Sequence, residues 1–135
     1  MPLTGLEHFL VLTDDVEATR AFYCDALGLR AGDRPDLPFP GIWLYLGEVP
    51  RVHVAERGPY EAHSQRIGIA AAKGAPGTGS VDHIAFNADD YEELVQRFRA
   101  AGVEAQPNEI PGVMRQLFAH DPNGVKIEIN VKEQP

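Results

Sequence analysis

Two stretches of the chain resemble each other closely enough to decide its fold. The first is "LEHFLVLTDDVEATRAFYCDALGL", residues 6–29, and the second is "VDHIAFNADDYEELVQRFRAAGVEA", residues 81–105. His8 in the first stretch and His83 in the second lie 75 positions apart. A long internal repeat indicates two copies of one supersecondary unit. The sequence therefore predicts two related modules.

Each copy begins as a strand and continues as a helix. In the second copy, Asp89 and Glu92 have the spacing of a capping box, in which two side chains bind backbone amides at the helix start. The helix that follows has one apolar face and is expected to end near Gly102, because glycine readily adopts the left-handed conformation after a helix. The first copy has the same signals at Asp14, Glu17 and Gly28.

Each helix is followed by a short strand, a proline-containing loop and two more strands. The last two strands are expected at "IWLYLG" (42–47) and "RVHVAE" (51–56) in the first copy, and at "MRQLFAH" (114–120) and "VKIEINV" (125–131) in the second. "DPNG", residues 121–124, has proline and glycine where a type I turn favours them, which predicts a hairpin. Each module is therefore predicted to be βαβββ.

Residues 57–80 connect the two copies. They hold five glycines and two prolines, a composition typical of a flexible linker. We therefore predict a single α+β domain in which two paired βαβββ modules form a cup-shaped mixed sheet. Module 1 is expected at about residues 4–56, the linker at 57–80 and module 2 at 81–133.

Composition narrows the class of partner. The chain has 135 residues, with 12 basic and 20 acidic side chains and a net charge of −8, which argues against binding to nucleic acid or to an anionic membrane. The single cysteine excludes an internal disulfide and suits a reducing compartment. No apolar stretch is long enough to cross a membrane, and no signal peptide is evident. We expect a cytoplasmic protein that acts on a small molecule.

The repeat also aligns residues that can bind a metal. Adding the 75-residue spacing to His53 gives Glu128, and both lie on predicted last strands. Imidazole and carboxylate groups are good ligands for divalent cations. Alternation along the last strand places Glu128 on the face opposite to four apolar residues, Val125, Ile127, Ile129 and Val131. The sequence therefore predicts one shared divalent metal with four ligands: His8, His53, His83 and Glu128.

Other chemically active residues have simpler interpretations. His63 lies in the linker and His120 beside the turn, so we treat both as surface or substrate-contact residues. Cys24 is expected to be a buried helix residue. Three aromatic residues at strand positions are either core residues or the lining of a ligand groove: Trp43, Tyr45 and Phe118.

The sequence resembles the vicinal oxygen chelate superfamily, which includes glyoxalases, extradiol dioxygenases, epimerases and bleomycin- or fosfomycin-resistance proteins. Residues 6–29 resemble its opening strand and helix, "VDHIAF" (81–86) the start of its second module, and "HDPNGVKIEI" (120–129) its closing hairpin with a ligand glutamate. The resemblance implies paired modules around one divalent metal (Zn, Ni, Fe, Mn or Co), with His8, His53, His83 and Glu128 at the ligand positions.

The chemistry that the resemblance implies depends on the member. Lyases and isomerases of this superfamily hold two neighbouring substrate oxygens on the metal, and Glu128 would then be both ligand and catalytic base. Glyoxalase I-like members usually have glutamate at the position of His53. Those that act on glutathione adducts have arginine and asparagine where this chain has Leu12 and Arg57. These differences disfavour a glutathione substrate and leave Arg57 available for another anion.

Two alternative functions stay open. An extradiol ring-cleaving dioxygenase would need only His8, His83 and Glu128 as iron ligands. A drug-sequestering resistance protein would bind its ligand in an aromatic groove without a metal. A homodimer is expected, because a second copy can bury the exposed edges of two short sheets. The metal site is then formed either within one chain or between two chains.

Overall fold

The computed structural model of the chain describes residues 5–71, 78–79 and 81–132. Module 1 contains β1 (Phe9–Thr13), α1 (Val16–Ala21), a π-helical turn (Phe22–Ala26), β2 (Arg30–Gly32), β3 (Gly41–Leu46) and β4 (Val49–Glu56), and α2 (Arg57–Ile67) follows. Module 2 contains β5 (Ile84–Ala88), α3 (Tyr91–Ala100), β6 (Gln106–Ile110), β7 (Met114–His120) and β8 (Lys126–Lys132).

The two modules build sheets of the same design. Each sheet has four strands, in the order β1-β4-β3-β2 in module 1 and β5-β8-β7-β6 in module 2. The first strand of each module runs parallel to the last, and all other neighbours are antiparallel. The predicted α+β fold with two βαβββ modules is confirmed, and so is the hairpin around residues 121–124.

Aspartate side chains start both helices of the repeat, but one residue later than the sequence predicted. Asp15 Oδ1 accepts a hydrogen bond of 2.9 Å from the backbone amide three residues further on, and Asp90 Oδ1 accepts the equivalent bond at 3.0 Å. Asp14 and Asp89 are not the N-cap residues, so the predicted capping boxes are wrong. Adjacent aspartates make this one-residue shift invisible to a spacing rule.

The helix of module 1 widens into a π-helical turn. In it the Leu27 amide donates to the carbonyl of Phe22, five residues earlier, at 3.3 Å. A π-helical turn shifts the face that follows it, which explains the loose spacing of the apolar residues here and leaves Tyr23 and Ala26 completely buried. Gly28 then ends the helix in the left-handed conformation, with φ of 82°, as predicted.

The prediction of a flexible linker is wrong for its first half. Arg57–Ile67 form α2, which contacts β1 and β4 and ends at Gly68 with φ of 75°. Pro59 does not prevent the helix, because proline is tolerated in a first turn, where amides have no intrahelical partner. Residues 72–77 and 80 of the predicted linker lie outside the described residues. In the described part of the chain, no helix has the length and hydrophobicity that a membrane crossing requires.

Both modules contribute to one hydrophobic core. Val52 and Val54 of β4, and Ile127 and Ile129 of β8, are at most 2% exposed and belong to the same buried cluster. The cluster also includes the inward residues of the π-helical turn and of α3. Because side chains alternate along a strand, the opposite faces of β4 and β8 point away from the shared core.

A buried polar contact joins the modules. The Tyr23 hydroxyl, on the π-helical turn, donates to Asp121 Oδ2 at 2.9 Å. Asp121 Oδ1 accepts from the amides of Asn123 and Val125, both at 2.8 Å, inside the turn between β7 and β8. Asn123 Nδ2 in turn donates to Thr19 Oγ1 at 2.9 Å. Two hydrogen bonds therefore hold the hairpin of module 2 against the helix of module 1.

Replacing Tyr23 by phenylalanine removes the bond to Asp121 and keeps the buried ring. We expect Tyr23→Phe to lower the free energy of unfolding by about 1.5–3 kcal/mol, the range for hydrogen bonds to charged groups. Urea unfolding measured by circular dichroism checks this. Tyr45→Phe is the control, because the Tyr45 hydroxyl donates to the Asp33 carbonyl at an exposed site. Equal destabilisation by the two variants would contradict the larger stabilisation that we assign to the bond between Tyr23 and Asp121.

Candidate metal centre

The predicted ligands of module 1 lie together at the start of its sheet. The ring of His8 stacks on the ring of His53, with 3.7 Å between ring centroids and 12° between ring planes. Trp43 opposes His53 in the register of β3 and β4, and its indole stacks on the other face of the imidazole, at 4.0 Å and 11°. His53 is thus held between two rings, and these three residues are called the ring stack below.

The predicted ligands of module 2 form a second pair. His83 precedes β5, and its Nε2 lies 3.5 Å from Oε1 of Glu128 on the neighbouring strand β8. The Glu128 side chain is 16% exposed and that of His83 is 38% exposed, so the carboxylate lies deeper in the pair. The 75-residue equivalence therefore brings the right residues together within each module.

The two pairs do not join within one chain. Across residues 5–71, 78–79 and 81–132, no group of three or more histidine, cysteine, aspartate or glutamate side chains is placed to hold a metal. The cause is the shared core, because the faces of β4 and β8 that bear His53 and Glu128 point away from it. Each pair is called a half-site below, as half of the predicted ligand set: the module 1 half-site is His8 with His53, and the module 2 half-site is His83 with Glu128.

The structure adds two carboxylates that the sequence reasoning missed. Glu7 Oε1 lies 2.8 Å from His8 Nδ1, and Asp82 Oδ2 lies 2.8 Å from His83 Nδ1. A carboxylate on one ring nitrogen sets the tautomer and leaves the other nitrogen available to a metal, here Nε2 in both cases. The signal was present in the sequence, since an acidic residue directly precedes both histidines of the repeat.

A row of amide side chains leads to Glu128. Asn108 Nδ2 donates to Gln116 Oε1 at 2.7 Å, and Gln116 Nε2 donates to Asn130 Oδ1 at 2.9 Å. Asn130 Nδ2 completes the row by donating to Glu128 Oε2 at 2.9 Å. One carboxylate oxygen is therefore engaged, and the other, Oε1, is the one that faces His83. Sequence spacing did not predict this row, because its residues lie on three different strands.

Burial and a neighbouring charge favour the neutral form of the His53 side chain. Burial lowers the pKa of His53, and the charge of the neighbouring His8 lowers it further. The neutral imidazole that this favours is the form that binds metals. The pKa of Asp82 is lowered by hydrogen bonds from Lys126 and from His83, so a charged carboxylate stays beside His83 Nδ1.

The remaining candidates lie around the half-sites or away from them. His63 is part of α2 and packs on Phe39, with 5.2 Å between ring centroids, and His120 is exposed at the end of β7. Cys24 lies in the π-helical turn and is half-buried, and burial raises the pKa of its thiol. The interpretation of the strand aromatics as core residues is wrong, because all three are half-buried and outside the core cluster: Trp43, Tyr45 and Phe118.

Comparison with known proteins assigns the family. The model of the Glyoxalase/Bleomycin resistance protein/Dioxygenase superfamily matches residues 5–129. The chain belongs to this superfamily. The matched region contains all four residues of the half-sites and every strand and helix of the two modules except the last three residues of β8.

Individual relatives differ in what they bind. "Glyoxylase I 4" of Arabidopsis thaliana is 29% identical over 131 residues, which cover 94% of this chain and 70% of the relative. A variant of the fosfomycin resistance protein of Listeria monocytogenes, solved with Mn(II) and 1S,2S-dihydroxypropylphosphonic acid, has a TM-score of 0.70 at 16% identity, covering 97% of this chain and 94% of that one. An antibiotic-binding protein from a Streptomyces species has a TM-score of 0.67 at 20% identity, covering 98% and 99%. The structural likenesses confirm the fold.

His53 is expected to titrate below the ordinary histidine pKa of about 6.5 in chelator-treated protein. NMR of the ring protons across a pH series measures it. His8→Gln removes the smaller cause and should raise the pKa of His53 part of the way back. As the pH falls through the ordinary value, the unfolded chain takes up a proton that folded His53 resists, so the free energy of unfolding decreases. A His53 pKa above 6.5 in the parent protein would contradict the structure.

Proposed function

We propose that this chain is a metal-dependent enzyme of lyase or isomerase type, which binds a small anionic substrate through two neighbouring oxygens on one divalent metal. The observation that supports it is the pair of matched half-sites, His8 with His53 and His83 with Glu128, on equivalent strands of two modules. Ligand-type side chains that met by chance would not be expected at the same two positions of both modules.

The donor set fits a divalent metal. Three imidazoles and one carboxylate suit Zn, Ni, Fe, Mn or Co. The Nδ1 atoms of His8 and His83 are engaged by Glu7 and Asp82, which leaves the Nε2 atoms for ligation. When bound, such a metal supplies Lewis-acid stabilisation of negative charge on the substrate oxygens.

Glu128 is the proposed proton acceptor. It is the single carboxylate in the ligand set, and the Asn130 amide holds its Oε2 at 2.9 Å. A carboxylate held in one rotamer is already oriented to take a proton from a carbon next to the chelated oxygens. His83 Nε2 lies 3.5 Å from Glu128 Oε1. The proposed base and a proposed ligand are therefore next to each other.

A homodimer completes the proposed site. The ligands lie on or beside the edge strands β1 and β5 and on their neighbours β4 and β8. An unpaired edge presents free backbone groups and is a natural surface for a second copy. If the β1 edge of one chain meets the β5 edge of another, the module 1 half-site of one chain faces the module 2 half-site of its partner. Two such sites would form in each symmetric dimer.

Two positions argue against a glutathione adduct as the substrate. Leu12 is a β1 residue without a charge, and the guanidinium of Arg57 lies 3.5 Å from Glu61 Oε1 within α2. Neither offers the free guanidinium that a glutathione carboxylate would need. Arg57 is therefore also a poor candidate for another anion, contrary to what the sequence suggested.

A second candidate function is metal-free binding of a planar molecule. The observation in its favour is the ring stack, in which Trp43 presents a flat aromatic surface beside His53. Flat aromatic ligands stack on such surfaces, and a structural relative binds an antibiotic. A third, the extradiol dioxygenase, needs only the three ligands other than His53. Metal dependence and the role of His53 distinguish these candidates.

Substitutions at His53 and His83 test the ligand set. Titration calorimetry with Zn²⁺ on chelator-treated protein should give one ion per chain. His83→Ala should weaken binding by more than about 100-fold, because an outer-sphere partner alone is worth about 10–100-fold. His53→Gln should also weaken binding, whereas His53→Glu should keep it, since a carboxylate oxygen replaces the ring nitrogen. Unchanged affinity in all three would remove the basis of the metalloenzyme, and unchanged affinity in the two His53 variants alone would favour the three-ligand site.

Mixed dimers test whether the site lies between chains. One variant combines His8→Ala with His53→Ala, and the other combines His83→Ala with Glu128→Ala. Neither variant alone should bind Zn²⁺ tightly. After unfolding and refolding together, a mixed dimer regains one intact site if half-sites meet across chains, so mixed dimers separated from the two parental dimers should bind about one ion per two chains. No return of binding in verified mixed dimers would place each site within a single chain.

A further inference from the structure

Three arginines without carboxylate partners lie on or beside the strands that carry the ring stack. Within the described ranges, the arginines in ion pairs are Arg20, Arg57, Arg97 and Arg115. Arg30 instead lies over the ring of Tyr45, at 4.9 Å, and Arg51 donates to the carbonyls of Leu6 and Glu7, just before His8. Arg34 is the third. A chain with a net charge of −8 therefore keeps uncompensated positive charge beside its module 1 half-site.

Arg34 is the most firmly held of the three. Its Nη2 donates to the Phe39 carbonyl at 2.8 Å, and its guanidinium lies over the Phe39 ring at 5.2 Å. Phe39 is itself packed against Tyr60 and His63 of α2, with centroid distances of 5.0 and 5.2 Å. The guanidinium is therefore positioned in advance, so little freedom is lost when a ligand binds it.

One donor of Arg34 is buried without a partner. Its Nε is inaccessible to solvent and makes no hydrogen bond to the described residues. Buried polar groups in folded proteins are nearly always bonded, so each exception calls for an explanation. A guanidinium keeps its positive charge at any physiological pH, and its planar fork of N–H donors matches the geometry of an oxyanion. Because Nε is closed to solvent, an oxyanion from solution would contact the Nη side of this fork, and Nε would add positive charge from behind.

Arg34 lies against the strand that carries Trp43 of the ring stack. A Cβ atom built on Gly41 would lie 3.2 Å from Arg34 Nη2, which places the guanidinium against the start of β3. Trp43 of the ring stack is two residues further along that strand, roughly 7 Å away at the usual strand rise.

We infer that Arg34 binds the anionic group of the substrate, an oxyanion such as carboxylate or phosphonate, joined by a short spacer to the two chelating oxygens. This inference rests on the proposed function for the chelating end and adds the substrate class. The spacer is expected to span about two residues of β3, roughly 7 Å along the strand from Gly41 to Trp43. Arg34, and not Arg57, then determines specificity for anions.

Two hydroxamates that differ in one group test this. A hydroxamate chelates a metal through two neighbouring oxygens. The first probe is the monohydroxamate of succinic acid, which has a free carboxylate at its other end, and the second probe has a carboxamide in place of that carboxylate. Calorimetry on Zn²⁺-loaded parent protein should show the acid binding at least about 10-fold more tightly than the amide, the size expected of a charge-assisted contact. Arg34→Gln should abolish this preference and leave the affinity for the amide unchanged. A preference that survives in Arg34→Gln overturns the inference.

Matched controls separate a specific contact from net charge and from misfolding. Arg97→Gln removes the same unit of charge from α3, where Arg97 Nε pairs with Glu93 at 3.5 Å, and should keep the preference for the acid. Loss of the preference in both variants would mean that net charge, not Arg34, is responsible. Arg34→Lys keeps the charge without the fork, and should retain part of the preference.

A metal-independent arm keeps the inference testable if no hydroxamate binds. Methylphosphonate added to chelator-treated protein should raise the melting temperature of the parent and of Arg97→Gln, but not that of Arg34→Gln. Failure of both hydroxamates to bind the parent would count against the proposed chelation and not against Arg34. Equal methylphosphonate stabilisation of parent and Arg34→Gln would overturn the role of Arg34, whatever the metal does.

Discussion

The alternation of side chains along the last strand of each module is the constraint on which the rest of the structure depends. Val52 and Val54 point into the shared core, and His53 lies between them in sequence and on the opposite face. Ile127 and Ile129 enclose Glu128 in the same way. A shift of one residue in either strand would bury His53 or Glu128 and expose two core residues, so the core itself keeps these two side chains on the outer faces.

The same core separates the half-sites. Packing the apolar faces of both sheets into one cluster, held by the bond from Tyr23 to Asp121, turns the polar faces outward. A chain built this way has a stable interior and two incomplete sites. The proposed dimer resolves this, because a neighbour's half-site can face each exposed one. In this proposal, metal binding and catalysis require the dimer, because each complete site takes ligands from two chains.

The two half-sites share a backbone design but differ in chemistry. Module 1 surrounds its histidines with Trp43 and with arginines that lack carboxylate partners. Module 2 surrounds its pair with the amides of Asn108, Gln116 and Asn130 and with the carboxylate of Asp82. In the proposed enzyme, the first surface would hold an anionic substrate and the second would move its proton. Duplication of one module supplies the ligands, and divergence of the flanking residues supplies the two roles.

The sequence by itself determined the repeat, the βαβββ order and the equivalence of His53 and Glu128 in the two modules, because periodicity and spacing can be read directly along the chain. It misplaced both N-caps by one residue, since neighbouring aspartates give the same signal, and it missed α2, whose stability comes from contacts with β1 and β4. Only the tertiary structure decided that the half-sites stay apart, that amides on three strands reach Glu128, and that Arg34 lies near the ring stack. These depend on which faces pack together and which residues meet across strands, and spacing along the chain carries no record of either.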